Sequence, residues 1–433
     1  MRRITLALLV VLTTAVQAQT FMKVYTKGST EPLIINTADI DSITFERDAE
    51  KGTIKNPFTV AELLQACNNL GANEFLGDGA TVYARGIITR VTEMNTQYGN
   101  TTYYIADKRN SKEEFCVYRG RLLNQAWVKT GDELSMGDTV TVCGKVKNFN
   151  GKTLEFDNNN YLVELRKYQP SYEERNAVFR LEMPRLKEGD NQLLLVHTAT
   201  LNDLTGETGI NYSTEWDTSI HAQRWSCYQL YASLLDKNTD RTQTGYPNDP
   251  FLPMTYQFAA DPYVRSGYDH GHICPSADRL ASVESNEQTF YMTNMQPQTH
   301  SLNAGIWSRM ETQVRSWAAS AYIDTLYVVK GGTIDQEDQI YDYLGSDANQ
   351  IPVPKYFFMA MLAKQSTGGY TAIGLWVEHI AEYSSKTPIG NFAVNIRELE
   401  QLTGIDFFPN LPDAIEESVE TLPLSNLKNV WGL

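Results

Sequence analysis

The sequence predicts an α+β chain with a small all-β barrel ahead of its main domain, on two observations. Between Val82 and Leu165, five or six alternating strand-like runs fit into roughly 85 residues, each closed by turn residues. Beyond Tyr168, strand-like runs (Gln192–Thr200, Thr325–Lys330, Tyr356–Lys364, Thr371–Val377) are mixed with helical ones, among them Ile396–Leu402 stopped by Gly404. No internal repeat or low-complexity tract interrupts either half.

The chain opens Met1-Arg2-Arg3, continues through an apolar stretch from Ile4 to Val16, and reaches Val16-Gln17-Ala18. A basic start, a short apolar middle and small residues before a cut read as a secretory signal over residues 1–18, so a secreted or periplasmic protein is expected. That stretch is too short to span a bilayer comfortably and nothing later approaches one, so no membrane partner is expected. Residues 19–55 read as a short β module (Met22–Tyr25, Ile34-Ile35, Ile43–Phe45) and a charged linker. Thr59-Val60-Ala61-Glu62 is a capping box opening a short helix.

The barrel runs follow: Val82–Val91, Thr101–Ala106, Glu114–Tyr118, Thr139–Val146, Leu154–Phe156 and Tyr161–Leu165. Gly99-Asn100, Gly137-Asp138 and Asn150-Gly151 mark their turns. The pattern resembles an OB-fold, and residues 56–168 are assigned to it. From Tyr83 to Tyr161 there are eleven Lys/Arg against nine Asp/Glu, interleaved with Tyr103, Tyr104, Tyr118 and Phe149. Such a mixture suits single-stranded nucleic acid, where bases stack on rings and cations follow the backbone. Equally, the rings fill the barrel and the cations solvate its outside; Tyr103 and Tyr104 cannot share a face.

The whole chain of 433 residues carries a net charge of −15. That lowers the affinity expected for a polyanion and implies salt sensitivity, although a local basic groove still binds. Five widely spaced cysteines with no paired CxxC argue against a zinc site. They are expected to be mostly buried and unpaired, with room for one disulfide.

The chemistry concentrates in Tyr268-Asp269-His270-Gly271-His272-Ile273-Cys274-Pro275-Ser276-Ala277-Asp278-Arg279, which holds two of only six histidines. Thr293-Asn294-Met295-Gln296-Pro297-Gln298 follows, then Asn303, Trp307 and Glu311 at i, i+4 and i+8 of a helix face, with Ile306, Met310 and Val314 as a packing stripe. A neutral imidazole is the natural base near neutral pH, and a hard divalent ion needs few protein oxygens. Taken singly, Asn303 could be a helix cap and Glu311 a solvated carboxylate.

Together these residues resemble the DNA/RNA non-specific endonucleases, the ββα-metal nucleases, with agreement from about residue 175 to 425 that includes Asn211-Tyr212, Arg224-Trp225 and Ile351-Pro352. The resemblance implies a ββα-metal domain with a mixed or antiparallel sheet over residues 169–433, hydrolysis of DNA and RNA to 5′-phosphorylated products, and one divalent ion, Mg²⁺ (or Mn²⁺ or Ca²⁺). It implies His272 as general base, Asn303 as metal ligand, Glu311 as the orienter of metal-bound water and Asn294 as an active-site brace. Asp269 is expected to shape the turn, and His197, His221, His300 and His379 to be structural.

The commonest family form has arginine where this chain has His270. Neighbouring phosphate and carboxylate are expected to raise the His270 pKa so that it acts as a cation, with Arg265, Arg279 or Arg241 as substitute substrate contacts. Two other readings stay open: a nucleic-acid-binding protein whose nuclease domain is weakened, and a phosphodiesterase of small nucleotides. Oligomeric state is not legible.

Overall fold

The computed structural model describes residues 21–24, 33–36, 50–109, 111, 113–168, 171–243, 245–345 and 350–433. The expected signal segment and the strand expected at Ile43–Phe45 lie outside these. Within the first compact unit, Met1–Lys51, strand β1 (Phe21–Val24) pairs antiparallel with β2 (Leu33–Asn36), Phe21 opposite Asn36.

The second unit runs from Gly52 to Leu433. Helix α1 (Val60–Cys67) starts at the expected capping box: Thr59 Oγ1 accepts from the Glu62 amide, and Glu62 Oε2 accepts from the Thr59 amide at 2.8 Å. Two further first-turn amides donate to Asp107, Val60 at 2.7 Å and Ala61 at 2.9 Å. All these donors would otherwise be orphaned at the helix start.

Six strands follow: β3 (Thr81–Asn95), β4 (Asn100–Ala106), β5 (Phe115–Gly120), β6 (Thr139–Phe149), β7 (Thr153–Phe156) and β8 (Tyr161–Arg166). The long β3 pairs with β6 along its first half and with β4 along its second. β5 joins β4 to β7, the latter in parallel, and β7 returns to β6. Five strands therefore close a barrel, and β8 adds to β6. Ile88, Tyr103, Phe115, Val142, Phe156 and Leu162 fill it, and α1 seals it with Val60 and Leu63. Tyr103, 0% exposed, is core.

After a short helix α2 (Tyr172–Arg175), the main domain is built from β9 (Gln192–Asn202), β10 (Glu207–Asp217), β11 (Ala222–Leu230), β12 (Asp269–His272), α3 (Val283–Gln288), β13 (Met295–Gln298), a π-helical turn Leu302–Trp307 and α4 (Ser308–Ala318). Then come β14 (Ile323–Gly332), β15 (Ile340–Leu344), β16 (Ile351–Pro354), β17 (Tyr356–Gln365), β18 (Tyr370–Glu378), β19 (Ala393–Val394), α5 (Ile396–Thr403), α6 (Asp413–Glu420) and α7 (Leu424–Trp431). A seven-stranded sheet in the order β19-β18-β17-β14-β11-β10-β9 is antiparallel throughout.

Both faces of that sheet are covered, so its central strands carry unbroken apolar runs, Leu326–Val329 and Phe357–Ala363, rather than alternation. Val328, Met359 and Met361 meet the expected stripe Ile306, Met310 and Val314, together with Leu427 and Trp431 of α7. Their neighbours Val329, Phe358 and Ala360 meet Ile396, Leu399 and Val419 on the other face. The fold is thus α+β, with a closed five-stranded barrel before the larger domain. All five cysteines are free and buried, so the disulfide for which the sequence left room does not form. Among the described residues, no helix is long and apolar enough to cross a membrane.

A cleft of about 1130 Å³ separates the barrel from the larger domain, with Arg90, Glu114, Glu284, Glu287 and Tyr291 in its walls. Arg109 of the barrel bridges one end, its guanidinium 4.2 Å from the Tyr168 ring and 4.1 Å from Phe251. Glu174 pairs with it at 2.8 Å.

Candidate active site

Strands β12 and β13 form a two-stranded arch, with His270 opposite Pro297 and Gly271 opposite Gln296. A Cβ at Gly271 would lie 2.4 Å from the Gln298 side chain, so only glycine lets the arch close here. His270 and His272, two residues apart, consequently share one face.

His272 stands edge-on to Phe290, ring centres 4.8 Å apart, with Nε2 buried and bonded to no group among the described residues. Burial pushes its pKa down to about 3, and the Arg241 charge presses the same way. Arg241 itself lies 4.7 Å from the Phe290 ring. The result is a neutral imidazole with a free ring nitrogen beside an exposed cation. Chemically, that is a poised proton acceptor.

The arch leads into the π-helical turn, where Gly305 (φ −101, ψ −113) breaks regular helix geometry. The expected i, i+4, i+8 face is therefore bent between Asn303 and Trp307. Asp269 fixes the bend's first residue: its Oδ2 accepts from Asn303 Nδ2 at 3.0 Å and lies 2.9 Å from His300 Nδ1. Asp269 thus does more than shape a turn, and His300, expected to be structural, touches it. His379 anchors the approach, its Nδ1–H donating to the Pro354 carbonyl at 2.7 Å while Nε2 accepts from the Thr299 amide at 2.8 Å.

With the Asn303 amide nitrogen committed to Asp269, its Oδ1 accepts no hydrogen bond among the described residues. A lone amide oxygen fits a hard divalent ion that keeps most of its own water. No cluster of three or more His, Cys, Asp or Glu able to hold a metal occurs among the described residues, so a zinc-type cage does not fit.

Glu311 on α4 is bound by Lys330, Nζ to Oε1 at 2.7 Å. Burial raises the Glu311 pKa, and Lys330 opposes that rise. Lys330 is 1% exposed and sits 4.9 Å over the Trp307 ring. Sequence reasoning passed over Lys330 as the end of a strand. The signal was a lysine closing the apolar run Leu326–Val329 immediately before Gly331-Gly332.

The remaining expected residues differ in burial and in partners. Asn294, 0% exposed, touches no open space: its Oδ1 accepts from the Cys274 amide at 2.8 Å, and its Nδ2 donates to the carbonyls of Cys274 and Thr289. It braces the end of the histidine strand through the Cys274 backbone. Arg279 is 2% exposed and spends its guanidinium on the Asn211 side chain and on the backbone carbonyls of Asp278, Asn211 and Gln229, so it offers substrate nothing.

His270 is not raised toward a cation; burial lowers its pKa despite Asp261, whose oxygens lie 3.0 and 3.1 Å from Nε2. Its ring is stacked between Tyr246 (3.6 Å) and Tyr263 (4.3 Å), so it builds a wall of the site. Arg265, by contrast, is exposed at φ +62, in no ion pair among the described residues. His197 behaves as expected, buried against Asp249 at 2.8 Å.

The model of the DNA/RNA non-specific endonucleases matches residues 191–414. A mitochondrial nuclease EXOG of Danio rerio is 28% identical over 209 residues, 46% of this chain and 60% of that relative. A nuclease of Nostoc sp. is 33% identical over 218 residues, 48% of this chain and 75% of its own. The chain thus spans less than two thirds of the EXOG relative, and neither match reaches half of this chain.

Proposed function

Because this chain belongs to the DNA/RNA non-specific endonuclease family, we propose that it is a metal-dependent endonuclease cutting DNA and RNA with little sugar or sequence preference. The carrying observation is the buried, unbonded Nε2 of neutral His272. In this reading His272 takes a proton from the attacking water, and the Phe290 edge and the His270 wall hold its ring in place. Arg241 and Arg265 supply positive charge to the phosphodiester backbone.

Asn303, oriented by Asp269, would hold one divalent ion, Mg²⁺ or a similar oxygen-seeking cation. Once bound, that ion supplies charge relief at the phosphoryl and leaving oxygens. Glu311, held by the Lys330 ammonium at 2.7 Å, would accept hydrogen bonds from water on the same side. Hydrolysis with departure of the 3′ oxygen leaves 5′-phosphorylated ends. The reading includes export from the cell and an OB-like identity for the barrel.

Incubating the chain with supercoiled plasmid and with RNA, in Mg²⁺ or in EDTA, beside His272→Ala, tests it. Metal-dependent degradation lost in the variant is expected. Tight nucleic-acid binding without cleavage under any metal would instead favour a weakened nuclease that only binds.

A further inference from the structure

The barrel carries a surface that the catalytic site does not use. Trp127 and Tyr98 are 55% and 62% exposed although each is a large ring. Trp127 lies flat on Gly99: a Cβ there would meet its ring at 2.6 Å, and the Val128 amide donates to the Gly99 carbonyl at 3.2 Å. Gly99 itself has φ +63, so the β3–β4 turn is shaped to seat the indole. Arg121 completes the seat, its guanidinium 4.7 Å from the indole and its Nη1 donating to the same carbonyl at 3.2 Å.

Arg119 of β5, two residues before Arg121, lies 5.0 Å from the ring of its neighbour Tyr118. Neither Arg119 nor Arg121 is in an ion pair among the described residues. Their counterparts Arg85, Arg90, Arg109 and Lys147 are all paired with carboxylates. The cleft beside the barrel is a poor rival, because Glu114, Glu284 and Glu287 line it.

We propose that Trp127 and Tyr98, with Arg121 and Arg119, form a second nucleic-acid site that stacks unpaired bases of a single strand, at a distance from the chemistry. Exposed rings held rigid lose little freedom on stacking, and unpaired guanidiniums follow the phosphates. One nearby carboxylate opposes this. Glu93 is held by Asn95 at 3.0 Å, and its other oxygen is 3.5 Å from the Thr102 hydroxyl that also receives the Arg119 amide. The proposal deepens the nuclease reading for its substrate class and rests on it.

The test uses the full chain carrying His272→Ala, so that substrate is not consumed, and fluorescently labelled oligothymidylate in EDTA. Trp127→Ala should weaken binding about tenfold, Trp127→Phe much less, and Glu93→Gln should tighten it. Affinity for a blunt duplex of equal length should not change. In the otherwise native chain, Trp127→Ala should raise KM on single strands and leave turnover of bis(p-nitrophenyl) phosphate unchanged. Equal oligothymidylate affinity with and without Trp127, or a loss shared by duplex, overturns the site. A chain that binds through Trp127 yet never cleaves plasmid or RNA under any metal would retain the site and overturn the nuclease.

Discussion

Lys330 and Glu311 form a buried ion pair, 2.7 Å from Nζ to Oε1, that ties the middle of the large sheet to the helix behind the arch. Lys330→Met leaves a carboxylate buried without its cation, which typically costs about 3–5 kcal/mol. Urea unfolding should show a loss of that size, and Lys330→Met with Glu311→Leu should recover much of it. Cleavage should stay lost in the double variant, because stability and activity draw on the pair differently.

His272 titrates on the acid side of ordinary histidine. Its folded pKa of about 3 lies below the unfolded value near 6.5, so its contribution to stability is full above that value and is lost as pH falls toward 3. Over the same window the base stays unprotonated. The kcat/KM profile should therefore show no acid limb in the usual histidine range. Arg241→Gln should move the imidazole titration upward, read by NMR of the ring protons, since Arg241 is the largest charge acting on it.

Asp269 acts on metal affinity through the Asn303 amide. Asp269→Ala frees that amide to rotate, and loss of an outer partner of this kind costs roughly 10–100-fold in metal affinity. Titrating Mg²⁺ against cleavage should show a higher midpoint with much of kcat restored at saturation. Asn303→Ala should not be restored by added ion.

Two arginines from one stretch of chain should give opposite phenotypes. Arg279→Gln removes a buried guanidinium that braces Asn211 and should cost about 2–4 kcal/mol of stability, with KM little changed. Arg265→Ala removes an exposed side chain that is in no ion pair among the described residues and should leave the melting temperature alone. It should weaken nucleic-acid binding and reduce the salt slope by about one.

How far the sequence carried the reading depends on what each residue's signal was. The barrel, the capping box at Thr59 and Glu62, and the stripe Ile306, Met310, Val314 follow from periodicity and turn residues, which are local. His272 and Asn303 were legible because a motif spacing named them. The polar partners were not: Lys330, Asp261, Tyr246 and Tyr263 reach the site only through tertiary folding, and no spacing announces them. For the same reason Arg279 and Arg265 looked alike as sequence, and only burial separates them.

The buried thiols have a further use. Burial holds Cys67 and Cys116 at about 11 and Cys274 at about 12, so at neutral pH these sulfurs stay protonated as well as hidden. Thiolate is the form that alkylating reagents attack, so the native chain should be silent to them. With no crosslink to reduce, electrophoretic mobility should be the same with and without reductant. The sulfurs sit in both halves of the second unit, Cys67, Cys116 and Cys143 toward the barrel, Cys227 and Cys274 in the larger domain. Pulsed labelling and mass spectrometry would then time the opening of each half separately, a stopwatch built into the chain.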